Sequence, residues 1–182
     1  GIAARGSQED RGHRVVLQEM GAERVGRWLA AAAGEDERHF RTVIPYLKKR
    51  MADAGVEVHL ASNRDKSAVL ADTPDAVVLA TGARPRPLRG AEILPDTKVR
   101  SLFAIDVLRG SPVPGKKAVV LGGRYIGIET ALLLAERGHA VSLVDMTEIG
   151  RGLIIRIQPV LFRRLGASGI RLFPNSLPFP CP

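Results

Sequence analysis

The stretch "KKAVVLGGRYIGIETALLLAERGHAVSLVD" (Lys116–Asp145) decides the fold. It opens on a compact, β-branched run that reads as a buried strand. Gly122 and Gly123 then make a turn into a helix, and Gly127 lies inside that helix's first turns. The helix is apolar nearly all round, as expected when it packs on a sheet. A second strand, "HAVSLVDM", ends on Asp145. The first N–H groups of a helix have no acceptor within the helix, and the helix dipole favours an anion there. A pyrophosphate suits such a turn. A carboxylate about twenty residues further on can take the hydroxyls of an adenosine ribose. It also repels a 2′-phosphate, which favours NAD over NADP at this site.

The second strand has an earlier copy. "RGHRVVLQEM" (Arg11–Met20) and "RGHAVSLVDM" (Arg137–Met146) share Arg, Gly, His, Val, Leu and Met in register, and their ninth residues are the acids Glu19 and Asp145. Strands alternate with helices along the rest of the chain, which argues parallel sheets. The expected fold is α/β, two tandem Rossmann-like dinucleotide-binding units with parallel sheets, both incomplete. The first unit is expected over residues 1–111, a linker over 112–116 and the second unit over 117–182. Within the first, "RHFRTVIPYLKKRMADAG" places Phe40, Val43, Tyr46, Leu47 and Met51 at helical spacing. Gly55 reads as its stop, and Pro45 as a kink or a late start. "VEVHL" reads as a strand, "DKSAVLADTP" as a short helix, and "DAVVLATG" as a buried strand running into a tight turn. "ARPRPLRGAEILPD" reads as a Pro-rich connection, "SLFAIDVLRG" as a short helix, "QPVLFRRLGASG" as a helix, "IRLF" as a strand and "PNSLPFPCP" as an irregular tail.

Composition narrows the partners. Of 182 residues, 45% are hydrophobic, an ordinary value for a globular chain. No apolar run approaches the roughly 18 residues that span a bilayer. No charged-then-apolar signal segment opens the chain, which starts at Gly1 without a Met and reads as a fragment or processed piece. The one cysteine, Cys181, cannot form an internal disulfide, and no Cys/His cluster has metal-ligand spacing. That usage fits a cytoplasmic setting and gives no metal site. The net charge of +8 comes from scattered Arg and Lys, with short clusters at Lys48–Arg50, Arg84–Arg89 and Arg163–Arg164. Aromatics make up 4%, too few for a stacking platform on single-stranded nucleic acid. The charge reads as solvated surface, part of it available to cofactor phosphates.

"VVLGGRYIGIETALLLAERGHAVSLVDM" resembles the NAD-binding segment of flavoprotein pyridine-nucleotide oxidoreductases, whose usual form is G-G-G-x-I-G-x-E. Gly122, Gly123, Ile126, Gly127 and Glu129 match that pattern, and Arg124 stands where its next glycine belongs. That glycine lets the backbone approach the pyrophosphate. An arginine there crowds the phosphates or, alternatively, pairs with one. The resemblance implies that Glu129 lies toward the nicotinamide; a carboxylate capping the first helical turn is the plainer reading. Tyr125 matches an aromatic or polar position and either gates the nicotinamide pocket or packs.

In the same family a first unit binds FAD. Glu19 matches the acid for the FAD ribose, and "DAVVLATGARPR" resembles the A-T-G segment that lies against the flavin nucleotide, with Ala80, Thr81 and Gly82 matching directly. The layout of residues 11 to 173 most resembles the FAD/NAD part of old yellow enzyme-like NADH:flavin oxidoreductases, the 2,4-dienoyl-CoA reductase and trimethylamine dehydrogenase group. This implies hydride transfer from NADH to FAD and a partner barrel domain or redox partner. The barrel, its FMN and its iron–sulfur cluster have no counterpart in this sequence. A remnant or binding module of the same fold, holding nucleotide weakly or not at all, is the alternative. The departures behind it are Arg124, Arg27 in place of a Gly and the short segment before Arg11.

The remaining candidates read as structural. His13 and His139 share one repeat position before a strand. His39 and His59 have no Ser, Cys or acidic partner at telling spacing, and Trp28 reads as local packing. No residue is assigned as a catalytic acid, base or nucleophile.

Overall fold

The computed structural model describes residues 12–22, 40–86 and 99–177. The segment before Gly12, Arg27, Trp28, His39, most of the Pro-rich connection and Cys181 lie outside the described residues. The chain divides into two compact units, Gly1–Arg84 and Pro85–Pro182.

In the first unit β1 (Val16–Gln18) and β2 (Glu57–His59) pair in parallel, with Leu17 opposite Val58. Parallel strands cannot be joined by a tight turn, and α1 (Phe40–Asp53) lies on the connection. Ile44 and Met51 of α1 are buried and Leu47 is half-buried, one face of the helix at spacings of three and four. Met51 packs with Leu17 and Val56. Tyr46 faces solvent, contrary to the expected stripe. Pro45 lies inside the helix, which starts ahead of it at Phe40, so the late start is not what is seen. The proline sits near the helix start and removes one intrahelical bond there. Paired bonds from Gly55 N–H to Ala52 O and from Val56 N–H to Met51 O close the helix end. Asp65 caps α2 (Lys66–Ala71) by accepting from Ala68 N–H at 2.8 Å.

The segment "DAVVLATG" departs from its expectation. Residues 76–82 form no strand among the described residues, and Val77, Val78 and Leu79 are exposed. The described sheet of this unit has two strands, and neither pairs with this segment. A β-branched run becomes a buried strand only beside a hydrogen-bonding neighbour and under a covering layer.

The second unit is built on a three-stranded parallel sheet in the order β3 (Lys117–Leu121), β4 (Ala140–Val144), β5 (Arg171–Phe173). The helix α4 (Tyr125–Glu136) links the first pair and α5 (Gln158–Ala167) the second. The two helices contact one another and share one core against the sheet, so they lie on the same face of it. Val120 and Leu143, opposite one another in register, join Ile128, Leu132, Leu161 and Leu165 in one core. The short helix α3 (Ala104–Leu108) packs on α4, and Val107 belongs to the same core, so this segment goes with the second unit. The apolar girth of α4 follows, since sheet, α3 and α5 all contact it. The other sheet face is open among the described residues: Val119 is 65% exposed, and Leu121 and Phe173 are exposed too. The strand at 117–121 is therefore as expected, but it is buried on one side only.

Candidate functional site

The site forms where β3 and β4 end. Gly122 leaves β3 at φ +105, a conformation that a side chain disfavours, and its N–H bonds Val144 O at 2.8 Å. Gly127 packs α4 onto this turn. A Cβ added there would overlap the Gly122 carbonyl oxygen and lie 2.8 Å from its carbon. That close approach of helix to strand is what a glycine at this place permits. Among the described residues the N–H groups of Arg124, Ile126 and Gly127 meet no protein acceptor, the ordinary state of a first helical turn. The start of such a twelve-residue helix is where an anion is favoured.

Asp145 is half-buried just past β4. Its Oδ2 accepts Gly123 N–H at 2.6 Å; its Oδ1 accepts Thr147 N–H at 2.7 Å and the Thr147 hydroxyl at 2.8 Å. Burial pushes this carboxyl up and is the largest single influence. The bonds from Gly123 and Thr147, with the Arg124 charge, together outweigh it and hold the carboxyl below its ordinary value. The aspartate thus ties the glycine turn to the end of β4. One edge of the carboxylate remains for a further donor, because the two oxygens offer about four acceptor positions.

Arg124 caps α4 with an extended backbone (φ −94), so the residue itself carries no strain. Its guanidinium lies over Gly152, where an added Cβ would stand 2.9 Å from Nη2. The loop carrying Gly152 is tied to the turn by Gly150 N–H to Gly123 O at 2.7 Å. Tyr125 packs against the core. Ile126 is exposed. Glu129 is half-buried in α4 and lies outside the first turn, which holds no acidic residue, so the first-turn cap is not its role. His139 N–H and Gly138 N–H bond the last carbonyls of α4, a structural turn as expected.

In the first unit Glu19 stands at the end of β1 and accepts Gly21 N–H at 2.8 Å. Its own N–H bonds His59 O, and its carbonyl accepts Ser62 N–H. Ala80, Thr81 and Gly82 are exposed and outside any helix or strand, with Gly82 in the left-handed region at φ +75. His59 does have an acidic partner, contrary to the sequence reading: its Nε2 lies 2.8 Å from Glu57 Oε1. Alternate residues of a strand share a face, and the bond from His59, then that from Arg14, lowers the Glu57 carboxyl from its ordinary value.

Sequence reasoning missed the loop after β4. Thr147, Ile149, Gly150 and Gly152 close over the turn and its aspartate, and Asn175 and Ser176 bond Thr147 O and Asp145 O from the far side of β5. The signal available was "DMT" itself, since an Asp side chain commonly bonds the N–H two residues on.

Residues 49–177 match the pyridine nucleotide-disulphide oxidoreductase family, and the chain belongs to it. Among characterised proteins it is 35% identical over 179 residues to an NADH oxidase of Thermoanaerobacter brockii, covering 92% of this chain and 27% of that protein. It is 33% identical over 166 residues to a bilirubin reductase of Mediterraneibacter gnavus, covering 89% of this chain and 25% of that protein. The fold is that of part of a 2-naphthoyl-CoA reductase, with a TM-score of 0.85 at 24% identity over 96% of this chain and 26% of the other. The chain thus spans about a quarter of the length of these relatives. Among the described residues no helix is long and apolar enough to cross a membrane.

Proposed function

We propose that the chain is the nucleotide-binding part of a flavin-dependent pyridine-nucleotide oxidoreductase of the old yellow enzyme-like group, whose second unit holds NADH. One observation carries this reading: Gly122 and Gly127 meet in one tight turn of strand into helix, with the Asp145 carboxylate bonded beside it. The pyrophosphate would sit on the free N–H groups of Arg124, Ile126 and Gly127, and the ribose diol on the open edge of Asp145. Glu129, further along α4, is the residue toward the nicotinamide. Bound NADH supplies a hydride; the residues of this chain hold and orient the nucleotide. A redox partner or barrel domain and a cytoplasmic setting belong to the same proposal.

FAD belongs to the proposal on the family's account and on Glu19, Ala80, Thr81 and Gly82. The described residues of the first unit contain no helix start set against a glycine turn. The exposed Val77–Leu79 run favours the second reading, a nucleotide-binding remnant without flavin. The test is to incubate the purified chain with FAD, desalt it and record the visible spectrum, then titrate NADH calorimetrically. Retained flavin with NADH binding supports the oxidoreductase part. A colourless chain that binds NADH supports the remnant. A chain that binds neither sinks the oxidoreductase reading and leaves the remnant that holds no nucleotide.

A further inference from the structure

The guanidinium of Arg124 lies over Gly152, in the loop that follows Asp145. A glycine in the usual form of the motif would put nothing there. The observed seat is specific: Gly152 has no Cβ, and the Arg124 Nη2 takes the space a Cβ would claim, 2.9 Å away. The loop is held in place by Gly150 N–H to Gly123 O and by the packing of Ile149 on Gly123. Its own charged residues, Glu148 and Arg151, are exposed and opposite in sign. Arg124 therefore sets the charge balance beside Asp145. Both oxygens of that aspartate already accept N–H or O–H donors from the protein, so much of its negative charge is turned inward.

We propose that Arg124 is a nucleotide-discriminating residue that lets the site take NADPH alongside NADH, because its guanidinium offsets Asp145 and meets a 2′-phosphate on the adenosine ribose. This rests on the nucleotide-site reading above. The Cβ of Arg124, absent from the usual glycine, crowds the pyrophosphate of either nucleotide, while its guanidinium favours only the 2′-phosphate, so removing the side chain acts in opposite directions on the two. With Asp145 alone the 2′-phosphate faces a like charge. With Arg124 present it finds a fixed fork of N–H donors, the geometry in which arginine binds phosphate.

The test is calorimetric titration of the full chain, unmodified and as Arg124→Gly and Arg124→Lys, with NADH and with NADPH at low and moderate salt. The unmodified chain is expected to bind NADPH within about tenfold of NADH, and Arg124→Gly to weaken NADPH by about tenfold or more while tightening NADH severalfold. Arg124→Lys keeps the charge but loses the fork, and its NADPH affinity is expected to fall between those of the unmodified chain and Arg124→Gly, with a steeper salt dependence. If Arg124→Gly shifts both nucleotides in the same direction by a similar factor, the proposal is wrong and the arginine acts on the shared pyrophosphate. If neither nucleotide binds the unmodified chain or either variant, the nucleotide-site reading itself fails.

Discussion

Gly127→Ala drives a methyl group into the back of the glycine turn. Built on the observed backbone, the new Cβ overlaps the Gly122 carbonyl oxygen and lies 2.8 Å from its carbon. Non-bonded carbons rest at roughly 3.5 Å or more, so α4 must retreat from β3 by at least about 0.7 Å. The obstacle is backbone, and no rotamer change relieves it. Overpacking of this kind costs about 1–3 kcal/mol, more where the main chain must move. Alanine returns about 1 kcal/mol through helix propensity. The net loss is about 2 kcal/mol or more, and in a unit of roughly 100 residues that lowers the melting temperature by about 8–16 °C. Gly166→Ala is the matched control. Gly166 also lies in a helix, with nothing within 4 Å of its added Cβ. There the propensity gain stands alone, and a rise of a few °C is expected. Far-UV circular dichroism melts of the full chain and both variants read the two shifts. A Gly127→Ala chain that melts within about 2 °C of its parent would falsify the close approach of α4 to the turn.

Two further substitutions probe the turn from its other sides. Asp145→Asn replaces an acceptor-only group with one that carries its own donors, so either Gly123 N–H or Thr147 loses its partner; a cost of about 1–3 kcal/mol at neutral pH is expected in urea unfolding. Because the folded-state Asp145 carboxyl is held below its ordinary value, its contribution is complete above the unfolded pKa of about 3.9 and is lost as pH falls through the lower folded value. The parent is therefore expected to lose more stability than Asp145→Asn across that acid range, and parallel acid profiles would count against the bonded carboxylate. Gly123→Ala meets Ile149 Cδ1 at 2.5 Å and Asp145 Cβ at 3.1 Å. The first obstacle is the end of a side chain, so a loss of about 1–2 kcal/mol is expected, partly recovered by adding Ile149→Val; a double-mutant cycle with no coupling would refute the contact.

The second unit was legible because its signals are local. The β-branched run at 117–121, the glycines, the apolar helix and the repeat strand each name their own structure, and they agree with one another. What the sequence could not show is coverage. The run at 117–121 and the run at 76–80 look alike as strings, yet one is a strand with a single buried face and the other is exposed chain without a partner. Burial of a strand is decided by what lies beside and above it, and a sequence window carries neither. Ile44 and Tyr46 of α1 differ for the same reason. Both fit a broad apolar stripe, and the narrow core of Leu17, Met51 and Val56 leaves Tyr46 outside.

The repeat also explains why the acids matter before any nucleotide arrives. Glu19 accepts the N–H of Gly21, and Asp145 accepts the N–H of Thr147, each two residues on. In both units the carboxylate folds back to end its strand, and the methionine between acid and donor is exposed, Met20 and Met146 alike. Only Asp145 reaches further, across to Gly123 N–H. That one bond turns a strand-ending residue into a brace for the glycine turn. The aligned decapeptides could not reveal the difference, because the residue that Asp145 reaches lies on the preceding strand's turn, twenty-two positions back.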